Sequence, residues 1–126
     1  MTLGDKQRLF VRCLVKLLAF GHSKGYEFTL GEAHVINPRK MRWVPDGVNK
    51  RTTTPMEDGV HMPGSLHYKR LAIDLNLFVK GRYIRSGSHP AYVELWTFWS
   101  GLHELTSWGG DFGDANHFSM KHGGRR

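Results

Sequence analysis

Cysteine is nearly absent from this chain: Cys13 is the only one in 126 residues. That rules out an intramolecular disulfide and any thiolate pair for a structural metal, so a metal site here must use histidine and carboxylate. Long apolar runs are also missing. Nothing approaches the ~20 apolar residues a membrane-spanning helix needs. The first twenty residues are interrupted by Asp5, Lys6, Arg8, Arg12 and Lys16, which leaves no uninterrupted segment of ~7 to 15 residues for a signal-peptide core. The expectation is a soluble protein that is made, and at first stays, in a cytoplasm. Acidic residues are scarce, with eleven Asp and Glu against eighteen Lys and Arg, and the formal net charge is +7. The basic residues are scattered, with no run of five, so charge predicts attraction to polyanions without choosing among nucleic acid, anionic lipid and anionic cell wall. Internal repeats and low-complexity segments are missing as well.

What is present suffices for a folded core. Hydrophobic residues make up 40% and aromatics 12% of the sequence, which excludes a disordered chain. The length suits one domain spanning 1–126, and nothing in the pattern calls for an oligomer. Thr2 and Asp5 have capping-box spacing, and Phe10, Val11, Leu14, Leu17 and Leu18 follow as an amphipathic helix whose stripe is read as core-facing. Residues 26–30 alternate as a short strand. Residues 37–64 carry Pro38, Pro45, Pro55 and Pro63 and read as a loop-rich stretch able to wall a cleft.

Residues 71–79 give a strong strand signal, with Ile73, Leu75, Leu77 and Val79 on one face and Ala72, Asp74, Asn76 and Phe78 on the other. Lys80-Gly81 supplies a hairpin turn into 82–84. Ser88 and Pro90 open a second helix, with Tyr92, Leu95, Trp96, Trp99 and Leu102 at helical spacing to about Glu104. Trp108-Gly109-Gly110 breaks the pattern, 117–120 reads as a closing strand, and 123–126 as a frayed tail. The fold class expected is α+β, a small antiparallel sheet flanked by helices.

Two sites draw the chemistry. His67 precedes the strand that carries Asp74 among large apolar residues, and Asp114 lies three residues before His117 at a strand start. A carboxylate buried at Asp74 needs a cation or a metal. Two histidines and one carboxylate suit zinc with a fourth position open to water, and Asp114 is placed to take a proton from that water. On spacing alone a blander account stands beside this one, in which His67 and His117 are surface or capping residues and Asp74 pairs with Arg70.

The pattern Ser65-x-His67-x6-Asp74-Leu75, followed by Trp108 and Asp114-x-x-His117-Phe118, resembles the zinc peptidase family that contains D-alanyl-D-alanine carboxypeptidases, D-alanyl-D-alanine dipeptidases and phage L-alanyl-D-glutamate endolysins. The resemblance covers most of the chain outside residues 37–63. It implies a hedgehog-like fold, zinc held by His67, Asp74 and His117, and Asp114 as general base. It also implies an endolysin-type activity, cutting peptidoglycan stem peptides between L-alanine and D-glutamate after the membrane has been opened. The alternatives are a D-alanyl-D-alanine carboxypeptidase with the same site, or an inactive basic module that binds wall or nucleic acid.

Three positions depart from the family pattern. Arg70 stands where a small residue is usual, Ser119 where an acidic residue often follows His-Phe, and Val35 near the usual substrate arginine, whose place is taken by Arg39, Arg42 or Arg70 unless zinc suffices alone. Substrate contacts are expected from Ser65, Arg70, Glu32 and Trp108, although Glu32 is equally well read as solvated and Trp108 as core. Asp111 is the rival base to Asp114. His34 is undetermined, His22, His61, His89, His103 and His122 are read as surface or capping residues, and Cys13 as core.

Overall fold

The computed structural model describes residues 1–31, 41–43, 49–51 and 66–124. Helix α1 (Leu3–Ser23) starts where Thr2 and Asp5 close a capping box, with Thr2 N–H donating to Asp5 Oδ2 at 2.9 Å and Asp5 N–H to Thr2 Oγ1 at 3.1 Å. These bonds satisfy two of the amide donors that a helix start otherwise leaves without partners. The helix buries Phe10, Cys13, Leu17 and Gly21, a stripe at i, i+3, i+7 and i+11. Val11, expected on the same stripe, is instead 55% exposed. It sits about 100° around the helix from Phe10, beyond the reach of the sheet.

Strands β1 (Tyr26–Leu30), β4 (Ala72–Val79), β5 (Arg82–Ile84), β6 (Thr106–Trp108) and β7 (His117–Met120) form one antiparallel sheet, while β2 (Met41–Trp43) and β3 (Asn49–Arg51) pair separately. The β2–β3 ladder lies inside the stretch expected to be loop; the rest of 37–64 falls outside the described residues. Among the described residues the fold is thus α+β with a small sheet and two helices, as the pattern predicts. Strand β4 is its spine. One edge pairs with β1 from Leu75 to Val79, and the other pairs with β7 over Ala72–Asp74 and with β5 over Leu77–Val79. The β4–β5 turn uses Lys80 at φ 52° and Gly81 at φ 76°, the left-handed pair of a two-residue hairpin.

Alternation along β4 divides the sheet into two faces. Ile73, Leu75 and Leu77 are buried toward the helices, whereas Asp74 and Asn76 are only partly covered. Helix α2 (Pro90–Ser100) packs on the apolar face through Ala91, Tyr92, Leu95 and Trp99. Trp99 is fully buried, edge-on to Phe10 and Phe118 at centroid distances of 5.8 and 5.9 Å, and its indole N–H donates to the Ser107 carbonyl at 2.9 Å. One side chain thereby joins α1, α2, β6 and β7.

The ends of α2 differ from the sequence reading. Its cap is His89, whose Nδ1 accepts from Ala91 N–H at 3.0 Å, while Ser88 bonds to Ser86. The helix stops at Ser100 with Gly101 as C-cap, because the chain must turn back for Thr106–Trp108 to pair with β7. The short strand β6 was masked in sequence by the glycines that follow it. Among the described residues no helix is long and apolar enough to cross a membrane.

Helix α1 approaches β1 tightly at Gly21, where an added Cβ would lie 2.4 Å from Phe28 Cζ and 2.6 Å from Cε2. Helix propensity alone favours Gly→Ala by ~1 kcal/mol. The clash reverses that sign, and Gly21→Ala should destabilise the protein by about 1–3 kcal/mol in a denaturant titration. A stabilised variant would contradict the α1–β1 packing described.

Candidate metal centre

The centre is built by strand register. Asp74 on β4 lies directly across from His117 on β7, and residues opposite one another in an antiparallel pair project to the same face. That face is the one turned away from the helical core. His67 comes from a 3-10 turn, Leu66–Lys69, immediately before β4. The turn is anchored by the buried Leu66 and Leu71, by Leu71 N–H donating to the Leu66 carbonyl at 3.0 Å, and by Met120 N–H donating to the Leu71 carbonyl at 2.8 Å. Arg70, at φ 56°, makes the reversal between turn and strand. A left-handed residue costs an L side chain roughly 1–2 kcal/mol.

His67 Nε2 lies 3.3 Å from Asp74 Oδ1, and His117 Nδ1 lies 3.4 Å from the same oxygen. The three residues offer donor atoms all within 4.8 Å of one another. Two donors at about 2.0–2.2 Å from a tetrahedral ion are about 3.3–3.6 Å apart, so both contacts to Asp74 have the spacing of shared coordination. Both histidines are buried, at 3% and 6% exposure, and Asp74 Oδ1 is buried with no hydrogen-bond partner. Leaving such an oxygen unsatisfied is costly. Burial pushes the Asp74 carboxyl up, but the His117 and His67 imidazoles outweigh it and hold it at about 2, so this side chain is an anion at neutral pH. The cluster can hold a metal ion. The Asp74–Arg70 pairing is not what forms: among the described residues the ion contacts of Asp74 are to the two histidines, and Arg70 is exposed.

Asp114 stands at the rim. Its Oδ2 is 4.0 Å from His117 Nδ1, and its side chain is 52% exposed against 17% for Asp74. Its backbone is pinned, with Asp114 N–H donating to the Gly109 carbonyl at 2.8 Å and His117 N–H donating to the Asp114 carbonyl at 3.1 Å. Gly109 makes this fold-back possible, since a Cβ there would lie 2.3 Å from the Asp114 carbonyl oxygen and 2.7 Å from His117 Cβ. Gly31 does the same on the other side of Asp74, where a Cβ would meet Asp74 Cβ at 2.9 Å.

Trp108 is 8% exposed and belongs to the core, tilted against Tyr92 and Trp96, with its indole N–H donating to the Ala115 carbonyl at 2.6 Å. It props the Gly109–Asn116 segment under the site. Ser65, Glu32, His34, Val35, Arg39 and His61 lie outside the described residues, as do the side chains of Arg42 and Asp111. Ser119 is fully buried.

The remaining described histidines lie away from the centre. His89 caps α2, His103 Nδ1 accepts from Leu105 N–H at 3.1 Å, His122 Nδ1 lies 3.1 Å from Lys6 Nζ, and His22 is exposed beside Phe28. Cys13 is buried as expected. Sequence reasoning missed a polar ladder beside the centre, in which Asn116 Nδ2 donates to Asn76 Oδ1 at 3.1 Å and Asn76 Nδ2 to Thr29 Oγ1 at 3.2 Å. Its only sequence signal is Asn76, on the same face of β4 as Asp74.

Changing a partner of a metal ligand typically costs 10- to 100-fold in affinity. His67→Ala, Asp74→Ala and His117→Ala each remove a ligand itself and should weaken metal binding by more than about 100-fold, read by elemental analysis after dialysis. Full metal retention in Asp74→Ala would refute the ligand set. The chain matches no protein-family model and no curated protein sequence.

Proposed function

We propose that the chain is a zinc peptidase that hydrolyses peptidoglycan stem peptides, with His67, Asp74 and His117 as ligands and Asp114 as general base. The observation that supports this reading is the pairing of a buried His-Asp-His cluster, whose two histidines lie 3.3 and 3.4 Å from one Asp74 oxygen, with a second, half-exposed carboxylate 4.0 Å from His117. A purely structural zinc site takes four protein ligands. Three candidate ligands among the described residues, with a half-exposed carboxylate at the rim, suit catalysis.

The donor chemistry favours zinc, since two neutral imidazoles and one carboxylate suit a borderline ion. When bound, zinc supplies Lewis acidity toward a peptide carbonyl. The protein supplies the rest. Asp74 brings one negative charge, which leaves the loaded centre net positive, and its register with His117 keeps the ligands in place. Asp114, outside the ligand set and open to water, accepts a proton at Oδ2 and can return it to the leaving amine. The ordering Ser65-x-His67-x6-Asp74 and Asp114-x-x-His117 supports membership in the family of carboxypeptidases and endolysins it resembles, with a hedgehog-like fold. The charge of +7 suits an anionic wall. The endolysin-type L-alanyl-D-glutamate bond is the first choice of substrate, reached from the cytoplasmic side once the membrane has been opened.

Asp114→Asn should keep fold and zinc while hydrolysis of purified peptidoglycan falls by about 10² to 10⁴, the usual contribution of a general base. Product masses identify the bond: new L-alanine carboxyl termini support the endolysin reading, and released D-alanine the carboxypeptidase one. A fully active Asp114→Asn enzyme would remove Asp114 from the mechanism, and absence of any hydrolysis by the zinc-loaded protein would remove the peptidase reading.

A further inference from the structure

Helix α1 carries two apolar strips, and only one of them is used by the core. Phe10, Cys13, Leu17 and Gly21 are buried. On the outward side Val11 and Val15 are 55% and 61% exposed, one turn apart and continued by the exposed Ala19. Beside them at the same spacing run the exposed Arg8, Arg12 and Lys16. At ~100° per residue the two rows lie next to each other over about 12 Å of helix. Arg8 is paired with Asp5 at 2.6 Å, whereas among the described residues no carboxylate pairs with Arg12 or Lys16. An apolar row beside a cationic row is the pattern of a helix that lies in a bilayer interface, its cations at the headgroups and its apolar side chains below them.

We propose that the outer face of α1 docks the protein, peripherally and without spanning, onto an anionic lipid bilayer. Charge complementarity selects this occupant. A soluble polyanion would engage Arg12 and Lys16 but leave the valines in water, and a second copy of the chain would bring two cationic rows together. The inference is independent of the chemistry at the metal centre, because none of the residues involved contributes to it. The contact is weak and salt-sensitive, resting on a few cations and two valines.

The test is co-sedimentation of the full zinc-loaded protein with vesicles at low ionic strength. Vesicles of equal parts phosphatidylglycerol and phosphatidylcholine should retain the protein, and phosphatidylcholine alone should not. Each cation near an anionic surface is worth about fivefold in binding, so Arg12→Gln with Lys16→Gln should lose on the order of 25-fold. Val11→Ser with Val15→Ser, which keeps every charge, should lose several-fold as well. All four positions are exposed, so circular dichroism should show an unchanged fold; each pair is an independent arm if the other is perturbed. No retention on phosphatidylglycerol, or retention that neither pair diminishes, would overturn the proposal. So would a valine pair without effect together with equal affinity for a single-stranded nucleic acid, which would make the face a simple polyanion binder.

Discussion

The register that sets Asp74 across from His117 is the constraint on which the site depends. In an antiparallel sheet a slip of one residue sends every side chain of a strand to the opposite face. Here it would drive Asp74 into the helical core and bring Ile73 or Leu75 to the surface, so the hydrophobic alternation of β4 and the placement of the carboxylate are one fact. Phe118 enforces the same register from β7. It is fully buried opposite Ile73 and edge-on to Trp99, and it cannot leave the core without taking His117 off the site face.

The second support is backbone compactness. Gly31 and Gly109 flank the centre at distances that no side chain would tolerate, and they let β1 and the segment after β6 close on Asp74 and His117. Trp108 fixes that segment from below through the Ala115 carbonyl. Arg70 shows the opposite compromise: a left-handed position occupied by a long side chain, tolerated because Leu66 and Leu71 on either side are locked in the core. Rigidity at the ligands and exposure at Asp114 are therefore separate properties, set by separate elements. A metal site requires the first, and a proton-transfer group requires the second.

The His67, Asp74 and His117 cluster was legible in the sequence because a carboxylate inside an apolar alternating strand is a local contradiction that demands a partner. The two histidines could be proposed from strand context and from the resemblance, whereas on spacing alone the blander pairing of Asp74 with Arg70 stood ahead of them, and the distances exclude it. The core positions of β4 and α2 and the capping box of α1 were likewise readable, since periodicity and cap chemistry are local. Val11 was not, because a stripe at helical spacing gives the direction of burial only to within a turn's angular step. Strand β6 and the ladder through Thr29, Asn76 and Asn116 were not either, because three-residue strands and single amides carry almost no periodic signal.

Local chemistry in the sequence by itself determined the α+β class, the dominant strand, both helices and the residue types available for a metal in a chain with one cysteine. Tertiary structure alone decided that three donors more than forty positions apart at the extremes converge within 4.8 Å, that Asp114 stays at the rim while Asp74 is enclosed, and that α1 turns one apolar strip inward and leaves the other exposed. The physical reason is that periodicity records which residues avoid water, whereas convergence depends on how strands pair and how closely backbones approach, and those are properties of contacts between distant segments.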